Sequence, residues 1–177
     1  MGEEFLVQEE SKKLNELTGK IISIALSLED QLEFFISNYF IFPQNQKTFF
    51  FDNLIIKNMN FEKKVDIFKK ICEREKFDKE KLKKSIKHIK IVQKIRNDFA
   101  HQHVIFNPTK KEISIGNRKK YEFQILNSKE TLEILKENKG KATLIILEFY
   151  QKYYKDGTID DHPERLNSCQ EEYLEDD

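Results

Sequence analysis

Lys20–Phe40 reads KIISIALSLEDQLEFFISNYF. Its apolar positions Ile21, Ile24, Ala25, Leu28, Leu32, Phe35, Ile36 and Tyr39 recur at three- and four-residue steps. That is the period of one wide buried helix face, not the alternation of a half-buried strand. Pro43 and the Gln44-Asn45-Gln46 that follow end the run. Upstream, residues 3–18 read as a polar, loosely amphipathic opening helix, set off from the first stripe by Gly19. Downstream, the aromatic segment Phe49-Phe50-Phe51 leads to Asn60, a predicted N-cap. The helix it starts runs over 61–76, with Val65, Phe68 and Ile71 or Cys72 facing inward. Asp78 is the next cap, opening a helix through Leu82, Ile86, Ile89, Val92 or Gln93 and Arg96 to about His101.

Beyond His101 the pattern changes. Val104-Ile105-Phe106, Glu112-Ile113-Ser114-Ile115 and Tyr121-Glu122-Phe123-Gln124-Ile125 cluster β-formers around Asn107-Pro108 and Gly116-Asn117. They predict a small β-hairpin or three short strands over about 104–125. A last helix follows the cap Ser128, with a break at Gly140 and apolar positions Leu144, Leu147 and Tyr150 or Tyr154. The fold class is mainly α: a helical bundle with a β-hairpin inserted before its final helix. Residues 1–155 form one domain in this reading, and 156–177 an acidic, flexible tail.

Composition narrows the function. Lysine plus arginine and aspartate plus glutamate both total 31 in 177 residues. Nine of the acids and one base lie in 156–177, so the body before the tail carries +8. Within it, 57–96 holds 15 bases and six acids, either a solvated face of two helices or a phosphate-tracking surface. The apolar run Ile21–Leu28 is too short to span a bilayer. Glu3, Glu4, Glu9 and Glu10 do not make a basic-then-apolar leader. Cys72 and Cys169 stand far apart with no CxxC, as expected in a reducing cytoplasm. Five glycines supply no phosphate-cradling loop. Cytoplasmic localisation and the absence of a cofactor are the expectations.

The chemistry-bearing stretch is Ile95-Arg96-Asn97-Asp98-Phe99-Ala100-His101. Arginine is scarce, only Arg74, Arg96, Arg118 and Arg165. Its planar fork suits a phosphate where lysine offers a point charge, and histidine moves protons near neutral pH. Spacing by itself is weak: five helical steps turn about 140°, so Arg96 and His101 share no face unless the helix frays. Asn97 and His101 do share one. Arg96 as a partner of a neighbouring helix's acid, and His101 as a group satisfying the helix dipole, are the plain structural alternatives. His103 lies seven positions after Arg96, on the same stripe if the helix continues. His101-Gln102-His103 has half the ligands of a metal site without a second half, so no metal is expected. Seven of the 15 phenylalanines fall within 34–51, more than one side of a small bundle absorbs, which suggests a dimer interface.

The heptapeptide resembles the signature of the HEPN superfamily: arginine, a polar residue, then histidine after four to six positions. Leu28-Glu29-Asp30-Gln31-Leu32-Glu33 is similar to the acidic position on an earlier helix of that family. With Phe61, Lys64 and Val65 the spacing resembles the mannitol-repressor-like branch. The resemblance covers about 20–103, and the hairpin departs from a minimal bundle of this kind. It implies a homodimeric helical domain whose two motifs face a shared cleft, acting as a metal-independent endoribonuclease on RNA in toxin–antitoxin or phage-defence systems. Arg96 and His101 are then catalytic, and Asn97, Glu29, Asp30 and His103 supporting. An antitoxin or regulatory protein is an implied partner. The alternative is a non-catalytic interaction module like the mannitol-repressor branch.

Overall fold

The computed structural model describes the backbone of 2–41, 46–101, 103–107, 112–117, 122–125 and 128–154. It describes the side chains of 12–41, 47, 49–100 and 130–153. These residues are mainly helical: α1 (Gly2–Phe40), α2 (Gln46–Phe51), a π-helical segment (Asp52–Ile56), α3 (Phe61–Arg74), α4 (Lys79–His101) and α5 (Ser128–Tyr154). Between α4 and α5 the backbone runs as β1 (His103–Asn107), β2 (Glu112–Asn117) and β3 (Glu122–Ile125), antiparallel in that order. His103 faces Gly116 in the first pair and Ser114 faces Ile125 in the second. By its internal contacts the chain divides into two compact units, Met1–Ile146 and Leu147–Asp177. The expected acidic tail, 156–177, lies outside the described residues.

In the first unit, α1 packs on α3 and α4, and α3 packs on α4. The stripe quoted above turns inward: Ile21, Ala25, Leu28, Leu32, Phe35 and Ile36 are all buried. They meet a core to which α3 gives Val65, Phe68, Ile71 and Cys72, and α4 gives Leu82, Ile89 and Val92. Phe35 and Phe68 meet edge to face, ring centroids 5.2 Å apart. This geometry directs a ring edge at a ring face and adds to simple area burial. Burial pushes the Cys72 thiol up to about 12, consistent with a small core hydrophobe.

Two predicted breaks are absent. Gly19 sits within a continuous α1 and Gly140 within a continuous α5. A Cβ built on either would meet nothing within 4 Å, so neither glycine serves a close approach. An interior glycine weakens a helix by about 1 kcal/mol relative to alanine but keeps its N–H, so it does not terminate one. The predicted caps hold where their side chains are described: Asn60 Oδ1 accepts from Lys63 N and Asp78 Oδ1 from Lys81 N, both at 2.9 Å.

Helix α3 stops at Arg74, two residues before the predicted end. Phe77 N donates to Cys72 O at 2.9 Å and Lys76 N to Glu73 O at 3.2 Å. These are the paired bonds of a Schellman stop, with Lys76 at φ 55 in the left-handed position usually filled by glycine. The aromatic segment 49–51, expected as a connection, completes the short helix α2 and runs into the π-helical segment. Ser37 on α1 hydrogen-bonds Asp52 of that segment, and Ile56 at its end is buried.

Helix α5 buries Leu135, Asn138, Lys139, Ala142 and Ile146, and leaves Leu144 exposed. The inward face is therefore offset from the one expected through Leu144. Leu135, Ala142 and Ile146, seven and four apart, form the apolar stripe of that face, and two polar links tie α5 to its neighbours. Asn138 Oδ1 meets His88 Nδ1 of α4 at 2.7 Å, and Thr143 Oγ1 donates to Gln31 Oε1 of α1 at 2.7 Å.

Candidate functional site

Arg96 and Asn97 lie one turn from the end of α4. Arg96 is half-buried and Asn97 exposed. The Arg96 Nη1 donates to Asn97 Oδ1 at 3.0 Å. A neutral amide oxygen orients the guanidinium without neutralising it, so the fork's remaining donors can meet an incoming anion. Asp98 follows; burial raises its carboxyl above the usual range, while Lys94 one turn back pulls it the other way. Phe99 anchors this turn in the core.

His101 is the last residue of α4, and His103 opens β1. Their side chains lie outside the described residues. The backbone nevertheless sets their relation to Arg96. With α4 continuous through 101, Arg96 and His101 stand about 140° apart around the helix. His103 lies on a strand, so it does not continue the helical face of Arg96 seven residues earlier.

The acidic position on α1 is engaged elsewhere. Lys64, on the inward side of α3, is 2% exposed, and its Nζ lies 2.5 Å from both Glu29 Oε1 and Glu33 Oε1. Glu29 and Glu33 are four apart and so project from one side of α1 to grip the ammonium from two directions. Burial alone works against the charge on Lys64, but the hydrogen bonds to Glu29 and Glu33 outweigh it and hold the ammonium above its ordinary range. No hydrogen bond or ion pair joins Glu29 to Arg96. Asp30, next to this triad, is on the exposed side; desolvation, then the Glu33 and Glu29 charges, raise its carboxyl.

Lys64 and Glu33, the partners of Glu29 in this triad, are not among the site residues expected from the sequence. The signal was present: a lysine on the apolar side of α3 (Phe61, Lys64, Val65, Phe68) requires a buried counter-charge. An acid pair at i,i+4 beside the α1 stripe can supply it. What the sequence lacks is the pairing of two segments 35 positions apart.

The wider surface has two further features. Helix α4 carries Lys79, Lys83, Lys87, Lys90 and Lys94, all exposed. Around the junction of α1 and α2, Phe40, Phe49, Phe50, Leu54 and Ile55 are exposed, Phe49 by 67% and Leu54 by 68%. Among the described residues, no three His, Cys, Asp or Glu side chains gather as metal ligands would, and no helix is long and apolar enough to cross a membrane. Searches among protein-family models, curated proteins and solved structures find no match to this chain.

Proposed function

We propose that this chain is a metal-independent endoribonuclease of the HEPN type, a helical bundle with a β-hairpin before its last helix. It would act as a toxin or phage-defence effector in the cytoplasm. The observation that carries the reading is the half-exposed Arg96 guanidinium, held by Asn97 near the end of α4. In this reading the RNA 2′-hydroxyl loses its proton to a base and its oxygen attacks the adjacent phosphorus. The bond from phosphorus to the 5′-oxygen breaks, and that oxygen takes a proton. The products are a 2′,3′-cyclic phosphate and a 5′-hydroxyl. Arg96 stabilises the charge on the phosphorane and His101 exchanges the protons. Asn97 orients Arg96, Glu29 and Asp30 support the scaffold, and His103 is the secondary histidine.

The angle between Arg96 and His101 gives the homodimer a chemical role: two motifs at one cleft allow the arginine of one protomer to serve the histidine of the other. The exposed aromatic patch supports self-association. One observation favours the alternative, a non-catalytic interaction module resembling mannitol-repressor-like proteins and bound to an antitoxin or regulator. Glu29 is committed to Lys64, so the acidic position is structural here. The two readings separate on Arg96→Ala and His101→Ala. Loss of RNA cleavage by on the order of 10²–10⁴ with unchanged helical circular dichroism supports the nuclease. A wild-type chain that cleaves no RNA supports the module.

A further inference from the structure

At 100° per residue, positions 79, 83, 87, 90 and 94 of α4 fall within an arc of about 80°. Lysines occupy all five, and all five are exposed. The core-facing positions Leu82, Ser85, Ile89, Val92 and Phe99 lie on the other side of the helix. Positions 97 and 101 fall in the same arc as the lysines, so the line of charge leads along one face to Asn97 and the helical position of His101. The line from 79 to 101 is roughly 33 Å long at 1.5 Å per residue.

At its centre the charges on this line are not arranged as ordinary surface pairs, although Lys83 has Glu80 and Lys94 has Asp98 within one turn. Lys87 and Lys90 have no acid three or four positions away along α4. Acids stand only towards the ends, at Glu80 and Asp98. The lysines off the line differ: Lys81 and Lys84 both lie by Asp78. The centre of the line is therefore a run of like charges that repel one another along the helix. An anionic backbone laid along it would relieve that repulsion.

We infer that the Lys79–Lys94 face of α4 is a track for the phosphodiester backbone of single-stranded RNA, delivering the strand to Asn97 and the helical position of His101, with Arg96 about 100° outside that arc. This rests on the nuclease reading for its destination. Single-stranded RNA is favoured because one narrow line of point charges matches one backbone, whereas duplex RNA is held across its minor groove by contacts to both strands. In-line attack by a 2′-hydroxyl also needs a backbone free to leave helical geometry. Among the described side chains this face offers no Phe or Tyr platform: Phe99, the one Phe or Tyr of α4, is buried. Recognition is therefore electrostatic, sequence-tolerant and steeply salt-dependent.

The test is binding of a fluorescent 2′-O-methyl oligouridylate longer than the track, which has no 2′-hydroxyl to react, between about 50 and 200 mM salt. Five lysines predict a slope of log affinity against log salt near about −3.5, at roughly −0.7 per neutralised phosphate. Lys83→Gln/Lys87→Gln/Lys90→Gln should reduce that slope by about 2 with helical content retained. The control Lys63→Gln/Lys69→Gln/Lys70→Gln, exposed lysines on α3, should leave it nearly unchanged. Equal loss in both triple variants, an unchanged slope in the α4 variant, or no binding by the wild type would overturn the track. So would tighter binding of duplex RNA or of phosphatidylserine vesicles. The nuclease reading fails separately: lysine-dependent binding without cleavage keeps the track and removes the enzyme. Cleavage with an unchanged slope in the α4 variant does the reverse.

Discussion

The Ser85 hydroxyl is buried on the inner side of α4 and, among the described residues, has no hydrogen-bond partner. An unsatisfied buried hydroxyl keeps its desolvation cost with nothing to offset it. Ser85→Ala should therefore raise unfolding free energy by about 1 kcal/mol, read as a higher urea midpoint with unchanged slope. At this scale the sequence is readable where a residue's neighbours are its own helix. Asn60 and Asp78 cap because their partners are three residues away. Arg96 and Asn97 were singled out by the motif, but their mutual hydrogen bond was not, since adjacent residues on a helix do not share a face. Glu29 was not: the residue type and its place beside the stripe were visible, but its partner Lys64 belongs to another helix.

Among elements, α1 and α5 show why a glycine is a poor stop signal. The loss of about 1 kcal/mol at Gly19 is small beside the burial of Ile21 through Ile36 on the same helix. The central core was legible because its stripe keeps one period over twenty residues, whereas α5 was placed on the wrong face at Leu144. The inward face does carry an apolar period, Leu135, Ala142 and Ile146 seven and four apart, reinforced by polar contacts through Asn138 and Thr143. The α1–α3 joint holds the strongest energetic consequence. Removing the ammonium in Lys64→Ala leaves two carboxylates facing one another in a largely buried site and should cost on the order of 3 kcal/mol. Replacing the whole triad, as in Glu29→Gln/Glu33→Gln/Lys64→Met, should recover most of that loss. Because the folded state raises the Lys64 pKa, it holds this proton more tightly than the unfolded chain. The resulting stability is complete below the ordinary lysine value of 10.5 and is lost as pH rises through the folded value. Urea midpoints should accordingly fall more steeply above that pH in wild type than in the triad variant. Parallel curves would show that the ion pair contributes nothing. On α4, repulsion along the lysine line should cost about 0.2–0.5 kcal/mol per neighbouring pair.

At the scale of the molecule, the proposed function joins a basic helix face to an arginine–histidine end and an apolar patch for self-association. The patch was partly legible, since seven phenylalanines within 34–51 exceed what one face can bury. Which of them stay exposed required the packing of α2 on α1. Phe49→Ser/Phe50→Ser should convert a species of twice the 21.3 kDa chain mass into single chains, read by light scattering at micromolar concentration. A wild-type mass of 21.3 kDa would remove the shared cleft from the account. If the cleft exists and is composite, mixing Arg96→Ala with His101→Ala protomers should restore part of the cleavage that each variant lacks alone. The catalytic claim itself is tested most directly by the ends of the RNA it makes. Wild-type protein incubated with single-stranded RNA in excess chelator should yield 2′,3′-cyclic phosphate and 5′-hydroxyl ends. Cleavage that vanishes with chelator and returns with magnesium, or products bearing 5′-phosphates, would contradict it.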